Sequence, residues 1–158
     1  MNSNEQLIHR FYSAFRQLDH GTMNACYSDN PIFNDAVFGI LEGEAVRCMW
    51  EMLCKNARDF SLEYTDIRLL DDEYATCRWT ARYTFSKTGR RVVNNIKAHI
   101  RIQDGKIMEH TDEFDIWKWS RQALGLPGML LGWSGYMKTR IRNNALRNLQ
   151  KYMEQRQP

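Results

Sequence analysis

Apolar spacing predicts helices in the first third of the chain. From Asn4 to about Cys26, apolar side chains recur at intervals of three and four, which is typical of one helical face. The positions on this face are Leu7, Ile8, Phe11, Phe15 and Leu18. Asp19-His20-Gly21 interrupts the pattern, and Thr22 can begin a second, short helix. Pro31 favours an extended segment, and a third helix is predicted after Gly43. Its apolar face is Val46, Met49, Trp50, Leu53 and Cys54.

From Phe60 onward the period changes to two, which predicts strands. One strand has an inner face of Cys77, Trp79, Ala81, Tyr83 and Phe85. After the turn "KTGRR", a second strand has an inner face of Ile96, Ala98, Ile100 and Ile102. The sequence "DGK" predicts a hairpin into a last strand, on which His110, Asp112 and Phe114 share a face.

This order predicts an α+β fold in which a curved antiparallel sheet wraps around the N-terminal helices and forms a cone, a cystatin-like roll. We assign residues 1–117 to the cone domain and residues 118–158 to a C-terminal helical extension. The extension is expected to pack on the domain or on a partner subunit. It carries an apolar stripe at intervals of four, made of Met137, Ile141, Ala145, Leu149 and Met153.

Composition narrows the class of protein. A chain of 158 residues fits one domain, and an aromatic content of 12% can wall a pocket as well as fill a core. The net charge of +3 is modest and its excess lies near the C-terminus, so the total charge gives little support to nucleic-acid binding. No membrane span or signal peptide is evident. Four scattered cysteines without ligand spacing predict reduced, buried thiols, no metal site and a cytoplasmic protein.

The stretch "NDAVFG" places Asp35 between apolar neighbours, with no Lys or Arg close to it in the chain. A turn or a helix cap is the simplest role for such an aspartate. The alternative is a carboxylate at the wall of an apolar pocket, where burial raises its pKa for proton transfer.

Taken together, the three helices, the long sheet, "CYSDNPIFNDAVFG" and "DGKIMEHTDEFDIW" resemble the nuclear transport factor two-like superfamily. The pattern is most similar to its SnoaL-like and ketosteroid isomerase-like branch. The resemblance covers roughly residues 5–117. It implies a cone with an internal pocket, and because members of such superfamilies differ in chemistry, it implies less about the reaction.

The resemblance to ketosteroid isomerase implies that Asp35 is a catalytic base. The two oxyanion donors of that enzyme are not kept, because the tyrosine position falls on Phe11 and the second acid position falls on Ala98. The resemblance to SnoaL-type aldol cyclases implies that Asp112 is an acid/base, with His110 on the same face. Dehydratases of the superfamily imply a third version, which would pair Asp35 with His110.

Each candidate also has a structural interpretation. Asp112 could form a rim salt bridge with Arg101 or Lys97, and His110 alone could be a structural histidine, although Asp112 could set its tautomer and raise its pKa. The bulky residues could simply be core, or they could also line the cavity. The predicted pocket-lining residues are Phe11, Phe15, Trp50, Trp79, Tyr83, Ala98, Ile100 and Phe114.

The leading hypothesis is a cone protein that binds a hydrophobic carbonyl or hydroxyl compound and catalyses cofactor-free isomerisation, cyclisation or dehydration. Asp35 and Asp112 would exchange protons, and His110 would orient or relay. The alternative is a non-catalytic ligand-binding or dimerisation module. A homodimer is expected through the outer sheet face, which carries alternating Thr and Arg as well as His99 and Arg101.

The sequence "QALGLPGMLLGW" predicts a lid. It carries Leu124, Leu126, Met129, Leu130, Leu131 and Trp133, more apolar surface than a free tail would expose. Pro127 and the glycines around it should bend the helix. We expect this segment to close the open end of the cone, while the basic helix from about Gly135 to Met153 packs along the body or a partner.

Overall fold

The computed structural model describes residues 1–131 and 134–156, so Trp133 lies outside the described residues. The helices in these ranges are α1 (Ser3–Arg16), α2 (His20–Ala25), α3 (Glu44–Asn56), α4 (Ile116–Leu124), α5 (Leu126–Leu131) and α6 (Gly135–Arg156). The strands are β1 (Tyr27–Asp35), β2 (Gly39–Glu42), β3 (Ser61–Leu69), β4 (Tyr74–Phe85), β5 (Arg90–Gln103) and β6 (Lys106–Glu113).

The strands form one sheet in the order β2-β1-β6-β5-β4-β3. The α+β cone predicted from the sequence is confirmed, with two corrections. The sheet is mixed, because β1 runs parallel to β6 while the other pairs are antiparallel. The helices are also not contiguous, since β1 and β2 precede α3. Pro31 does not prevent a strand, because β1 has a register irregularity between Tyr27 and Ile32 where it meets β6.

The period-two pattern of the long hairpins sets which side chains face the core. On β4 and β5 the alternate positions Cys77, Trp79 and Ala81 are buried, as are Ile96, Ala98 and Ile100. The intervening Arg78 and Arg82 are exposed on the other face. The two strands pair along their whole length, from Tyr74 opposite Arg101 to Phe85 opposite Arg90. The inner faces predicted from the sequence are therefore confirmed.

Two N-terminal helices fill the concave side of the sheet. Helix α1 starts at the Asn2 cap, whose side chain accepts a hydrogen bond from the Asn4 backbone N–H, and buries one face against β3. Helix α3 buries most of its predicted apolar face. Leu53 is the exception: 38% of its surface is exposed, and it lies at the edge of a cavity. The four cysteines are buried free thiols, as predicted.

The C-terminal segment bends between α4 and α5. Gly125 has a φ of 72° and ends α4. Gly128, in α5, lies against the backbone carbonyl of Ser120 in α4. The predicted break in the helix is confirmed. Leu124, Pro127 and Leu131 of this segment line the cavity, while Leu126 and Met129 are 65% and 53% exposed, so the lid stays a prediction. Helix α5 packs on α4 through Gly128.

Helices α4 and α6 both connect the C-terminal segment to the cone, α4 through β5 and α6 through α3. Leu149 belongs to the same buried cluster as the side chains of α1 and the sheet. The Tyr152 hydroxyl donates to the Glu51 carboxylate at 2.6 Å, and the Arg156 guanidinium lies 2.9 Å from Glu44. The division of the chain at residue 117 stays a prediction. None of the described helices is both long and apolar enough to span a membrane.

We predict that Gly128→Ala destabilises the α4–α5 corner. A Cβ at this position would lie 2.0 Å from the Ser120 carbonyl oxygen, so the backbone must shift. The free energy of unfolding in urea should fall by about 1–3 kcal/mol. Gly135→Ala is the control, because its Cβ meets nothing within 4 Å at the start of α6 and should not destabilise the protein. Equal stabilities of the two variants would contradict the close packing of this corner.

Candidate functional site

A cavity of about 1100 Å³ lies between the concave face of the sheet and helices α1, α3, α4, α5 and α6. Its inner wall is aromatic, because the inward positions of β1 and β4 meet the buried faces of α1 and α3. The aromatic side chains on this wall are Phe15, Phe33, Trp50, Trp79, Tyr83 and Phe114. Two acidic residues, Asp35 and Asp112, also line the cavity. A volume of this size accommodates a multi-ring small molecule.

Asp35 is the last residue of β1, at the turn into β2. Its Oδ1 accepts hydrogen bonds from the backbone N–H groups of Val37 at 2.9 Å and Phe38 at 2.7 Å. The turn role and the pocket role proposed for this residue are therefore compatible, because one oxygen holds the turn. Its Oδ2 accepts no hydrogen bond from any residue in the described ranges.

Burial raises the pKa of Asp35 to about 7. The two backbone N–H groups oppose this increase because they stabilise the charged form, whereas the negative charge of Asp112 adds to it. Near neutral pH the Asp35 carboxyl therefore exists in both protonation states. A group of this kind can both accept and donate a proton at physiological pH.

Asp112 and His110 form a buried pair on β6. They are two residues apart on one strand, so both side chains face the cone, and His110 Nε2 lies 2.8 Å from Asp112 Oδ1. The indole Nε1 of Trp79 donates to the same oxygen at 3.3 Å. The side chains of His110 and Asp112 are 0% and 3% exposed. The rim salt bridge with Arg101 or Lys97 considered for Asp112 is not formed, and Arg101 instead binds Glu73.

Tyr27 extends this pair to a row of hydrogen bonds across the core. Trp50 Nε1 donates to the Tyr27 hydroxyl at 2.9 Å, and that hydroxyl lies 2.7 Å from His110 Nδ1. Both ring nitrogens of His110 have a hydrogen-bond partner when the Tyr27 hydroxyl donates to Nδ1 and His110 Nε2–H donates to Asp112. Burial raises the pKa of Tyr27 well above its usual value, so its hydroxyl keeps the proton.

The structure brings together Asp35, Asp112 and five of the eight predicted lining residues. Those five are Phe15, Trp50, Trp79, Tyr83 and Phe114. Phe11, Ala98 and Ile100 lie in the core instead and do not reach the cavity surface. Phe11 packs edge-on against the His110 and Trp50 rings, while Ala98 pairs with Asp112 across β5 and β6. His110 lies behind Asp112 rather than on the cavity wall.

Sequence reasoning missed Tyr27 and Phe33. Both lie on β1 and are almost completely buried, Tyr27 at 3% and Phe33 at 1% exposure. The signal for Phe33 is the period of two that runs from Pro31 through Phe33 to Asp35, which the proline obscured, whereas Tyr27 lies before the register irregularity and outside this period. Recognising this segment as a strand would have placed Phe33 and Asp35 on one face.

Comparison with known proteins gives the family. The family model for the SnoaL-like domain matches residues 8–110. This chain belongs to the SnoaL-like domain family. No curated protein matches it. Among the described residues, no group of three or more His, Cys, Asp or Glu could hold a metal ion.

Solved structures share the fold of this SnoaL-like protein. An NTF2-like protein of unknown function from Burkholderia pseudomallei K96243 has a TM-score of 0.66 and 18% identity, covering 77% of this chain and 98% of its own. A ketosteroid isomerase-like protein from Catenulispora acidiphila, solved with trimethylamine, has a TM-score of 0.67 and 12% identity, with coverages of 81% and 96%. A provisionally assigned polyketide cyclase from Pseudomonas putida KT2440 has a TM-score of 0.64 and 21% identity, with coverages of 78% and 98%.

We predict that the ionisation of buried Asp35 lowers the free energy of unfolding as the pH rises. Its pKa is about 7 in the folded state and about 4 when unfolded, so the folded state holds the extra proton between these values. The free energy of unfolding should therefore decrease from pH 4 to pH 8. Asp35→Asn should be more stable than wild type by roughly 2–4 kcal/mol at pH 8, and equal to it at pH 4.

Urea unfolding at several pH values measures this difference, and carboxyl NMR gives the pKa of Asp35 directly. Asp29→Asn is the control, because Asp29 is an exposed aspartate on the same strand. If the Asp35 carboxyl titrates near pH 4 and Asp35→Asn behaves like the control, burial does not determine its charge.

The row from Trp50 to Asp112 predicts the effect of Tyr27→Phe. Removing the hydroxyl leaves His110 Nδ1 and Trp50 Nε1 buried without a partner, which should cost about 1–3 kcal/mol of unfolding free energy. Nitrogen NMR should show a proton on His110 Nε2 in the wild type. Tyr74→Phe is the control, since Tyr74 is 45% exposed. Equal stability of Tyr27→Phe and Tyr74→Phe would contradict this role of Tyr27.

Proposed function

We propose that this SnoaL-like protein binds a hydrophobic carbonyl or hydroxyl compound in its cavity and catalyses a cofactor-free proton transfer. The supporting observation is that Asp35 and Asp112 line one largely aromatic cavity in different hydrogen-bonding environments. Because a carboxylate among apolar walls loses its hydration, it becomes a stronger base towards a bound substrate.

Asp35 is the proposed base. In its ionised form it takes a proton from a carbon next to a carbonyl group, and a substrate enolate results. Asp35 Oδ2 is the reacting atom, because Oδ1 already accepts two backbone hydrogen bonds. The pKa of about 7 keeps a substantial fraction of Asp35 ionised at neutral pH.

Asp112 is the proposed proton donor to the enolate. In its protonated form Asp112 donates a proton to the enolate oxygen, which gives an enol and leaves Asp112 as a carboxylate. His110 is a positioning and relay residue, because it contacts Asp112 and lies behind it. Asp35 then returns its proton to a different carbon while the enol hydroxyl returns its proton to Asp112, which completes an isomerisation. In a cyclisation the enolate carbon would instead attack a second carbonyl group and Asp112 would protonate the resulting alkoxide, and in a dehydration Asp112 would protonate the hydroxyl group that leaves as water.

The alternative proposal is a non-catalytic ligand-binding or dimerisation module. It is favoured by Phe11 and Ala98, which occupy the positions of the two oxyanion donors of ketosteroid isomerase. Under either proposal we expect a homodimer through the outer sheet face, where Arg78, Arg82 and His99 are exposed. We also propose a cytoplasmic location, which the four free, buried cysteines support.

Hydrogen–deuterium exchange of β-tetralone, a bicyclic ketone, tests the proton transfer. In D2O the wild-type protein should accelerate exchange at the α-carbon over buffer, with a rate that rises through about pH 7 as Asp35 ionises. Asp35→Asn should lower the catalysed rate by about 100-fold or more, because it removes the base. Asp112→Asn should lower it too, whereas Asp29→Asn should not. Wild-type rates equal to those of Asp35→Asn would reject Asp35 as the base and favour the binding module.

A further inference from the structure

The outer edge of the cavity carries a second set of charged side chains with the opposite sign. Four cations line the cavity in addition to the two aspartates, and each comes from an element at its open edge. They are Arg58 after α3, Lys87 in the β4–β5 turn, and Arg140 and Lys151 on α6. All four side chains are exposed.

These cations have no anionic partner within the described ranges. The ion pairs of the protein lie elsewhere, for example between Arg156 and Glu44 or between Arg101 and Glu73. Within the described residues Arg140 donates a hydrogen bond to a neutral group, the Tyr136 hydroxyl at 3.3 Å. Among the described lining residues the acids are Asp35 and Asp112, and both belong to the inner part of the cavity. The cavity therefore changes from acidic and aromatic inside to basic at its edge.

Helix α6 explains why this edge is polar and basic. Arg140 and Lys151 are eleven residues apart, which is about three helical turns, so both lie on the same face. Asn144, Asn148 and Gln155 lie on that face as well and also line the cavity. Residues 116–158 contain eight Lys or Arg and one Glu, whereas the whole chain has 22 Lys or Arg and 19 Asp or Glu.

We propose that the ligand of this cavity is amphipathic, with a multi-ring apolar body and one anionic group such as a carboxylate or sulfonate. This inference rests on the proposed function, because it names the substrate class of the same site. The apolar body occupies the aromatic wall next to Asp35 and Asp112. The anionic group stays at the edge, where Arg58, Lys87, Arg140 and Lys151 attract it and where it remains partly hydrated.

The charge arrangement also fixes the orientation of the ligand. An anionic group placed inside would meet the carboxylates of Asp35 and Asp112, which repel it, and would lose its hydration among aromatic rings. At the edge the same group meets cations instead, and because Arg140 and Lys151 lie about 16 Å apart along α6, it contacts those nearest to it rather than all four. Binding of the anionic group at the edge thus orients the ligand, with its uncharged, reacting part towards Asp35.

Two fluorescent probes that differ by one sulfonate group test this proposal. Anilinonaphthalenesulfonate is anionic, and N-phenylnaphthylamine is its neutral counterpart with the same ring system. We expect wild-type protein at low salt to bind the anionic probe about ten-fold more tightly, and the preference to shrink in high salt. The fourfold variant Arg58→Gln, Lys87→Gln, Arg140→Gln and Lys151→Gln should lose the preference and still bind the neutral probe.

A matched fourfold variant controls for net charge. Arg10, Lys118, Lys138 and Arg147 are exposed cations that do not line the cavity, and two of them lie on α6. Replacing all four with Gln should preserve the preference for the anionic probe. Loss of the preference in this control would show a general effect of charge, or binding outside the cavity, and would overturn the proposal.

The remaining outcomes separate this proposal from the proposed function. Equal affinities of wild-type protein for both probes would overturn the proposal of an anionic ligand group, but would not contradict apolar ligand binding or the role of Asp35. If the protein binds neither probe, the proposal of an anionic ligand group is overturned, and support for an apolar ligand in this cavity is lost as well. The exchange of β-tetralone, which is uncharged, reports on Asp35 independently of the four cations.

Discussion

The parallel pairing between β1 and β6 is the contact on which the candidate site depends. It places Phe33 beside His110 and Asn34 beside Thr111. One residue further along this register, Asp35 lies next to Asp112 on the same face, because side chains alternate between the two faces of a sheet. Two carboxylates far apart in sequence thus share one cavity. The same pairing brings Tyr27 into reach of His110 Nδ1.

Burial has different consequences for the two carboxylates because their partners differ. Asp112 is almost completely buried, and two N–H groups from His110 and Trp79 converge on one of its oxygens. Asp35 accepts hydrogen bonds from two backbone N–H groups, which lower its pKa. Desolvation has the larger effect, so the pKa of Asp35 rises to about 7. A buried polar group is costly unless it is hydrogen-bonded, which explains why His110 and Trp79 both contact Asp112 Oδ1. The site combines one group near its titration point with one whose hydrogen bonds fix its position.

The C-terminal helix gives the cavity its edge as well as part of its core. One side of α6 buries Ile141 and Leu149, and a neighbouring side presents Arg140, Asn144 and Lys151 to the cavity. A substitution on this helix can therefore change stability and ligand selection together. Helix α5 differs, because it packs through Gly128 and leaves Leu126 and Met129 exposed.

The sequence by itself determined the elements with a strong local period. The face of α1, the inner faces of β4 and β5, and the pairing of His110 with Asp112 on one strand all follow from spacing alone. The break before α5 follows from Gly125 and Pro127. These features depend on neighbours within a few residues, so a single sequence contains the information that specifies them.

Only the tertiary structure decided which of these elements meet. Strand β1 contains a proline, and its parallel partner β6 begins more than seventy residues later, so no local pattern specifies the pairing. The same holds for Tyr27, whose role depends on His110 and Trp50. The tertiary structure also determines that Phe15 reaches the cavity while Phe11 on the same helix lies in the core. Both residues belong to one apolar face, and the position of the sheet and α3 around that face determines which side chain is covered by protein and which borders the cavity.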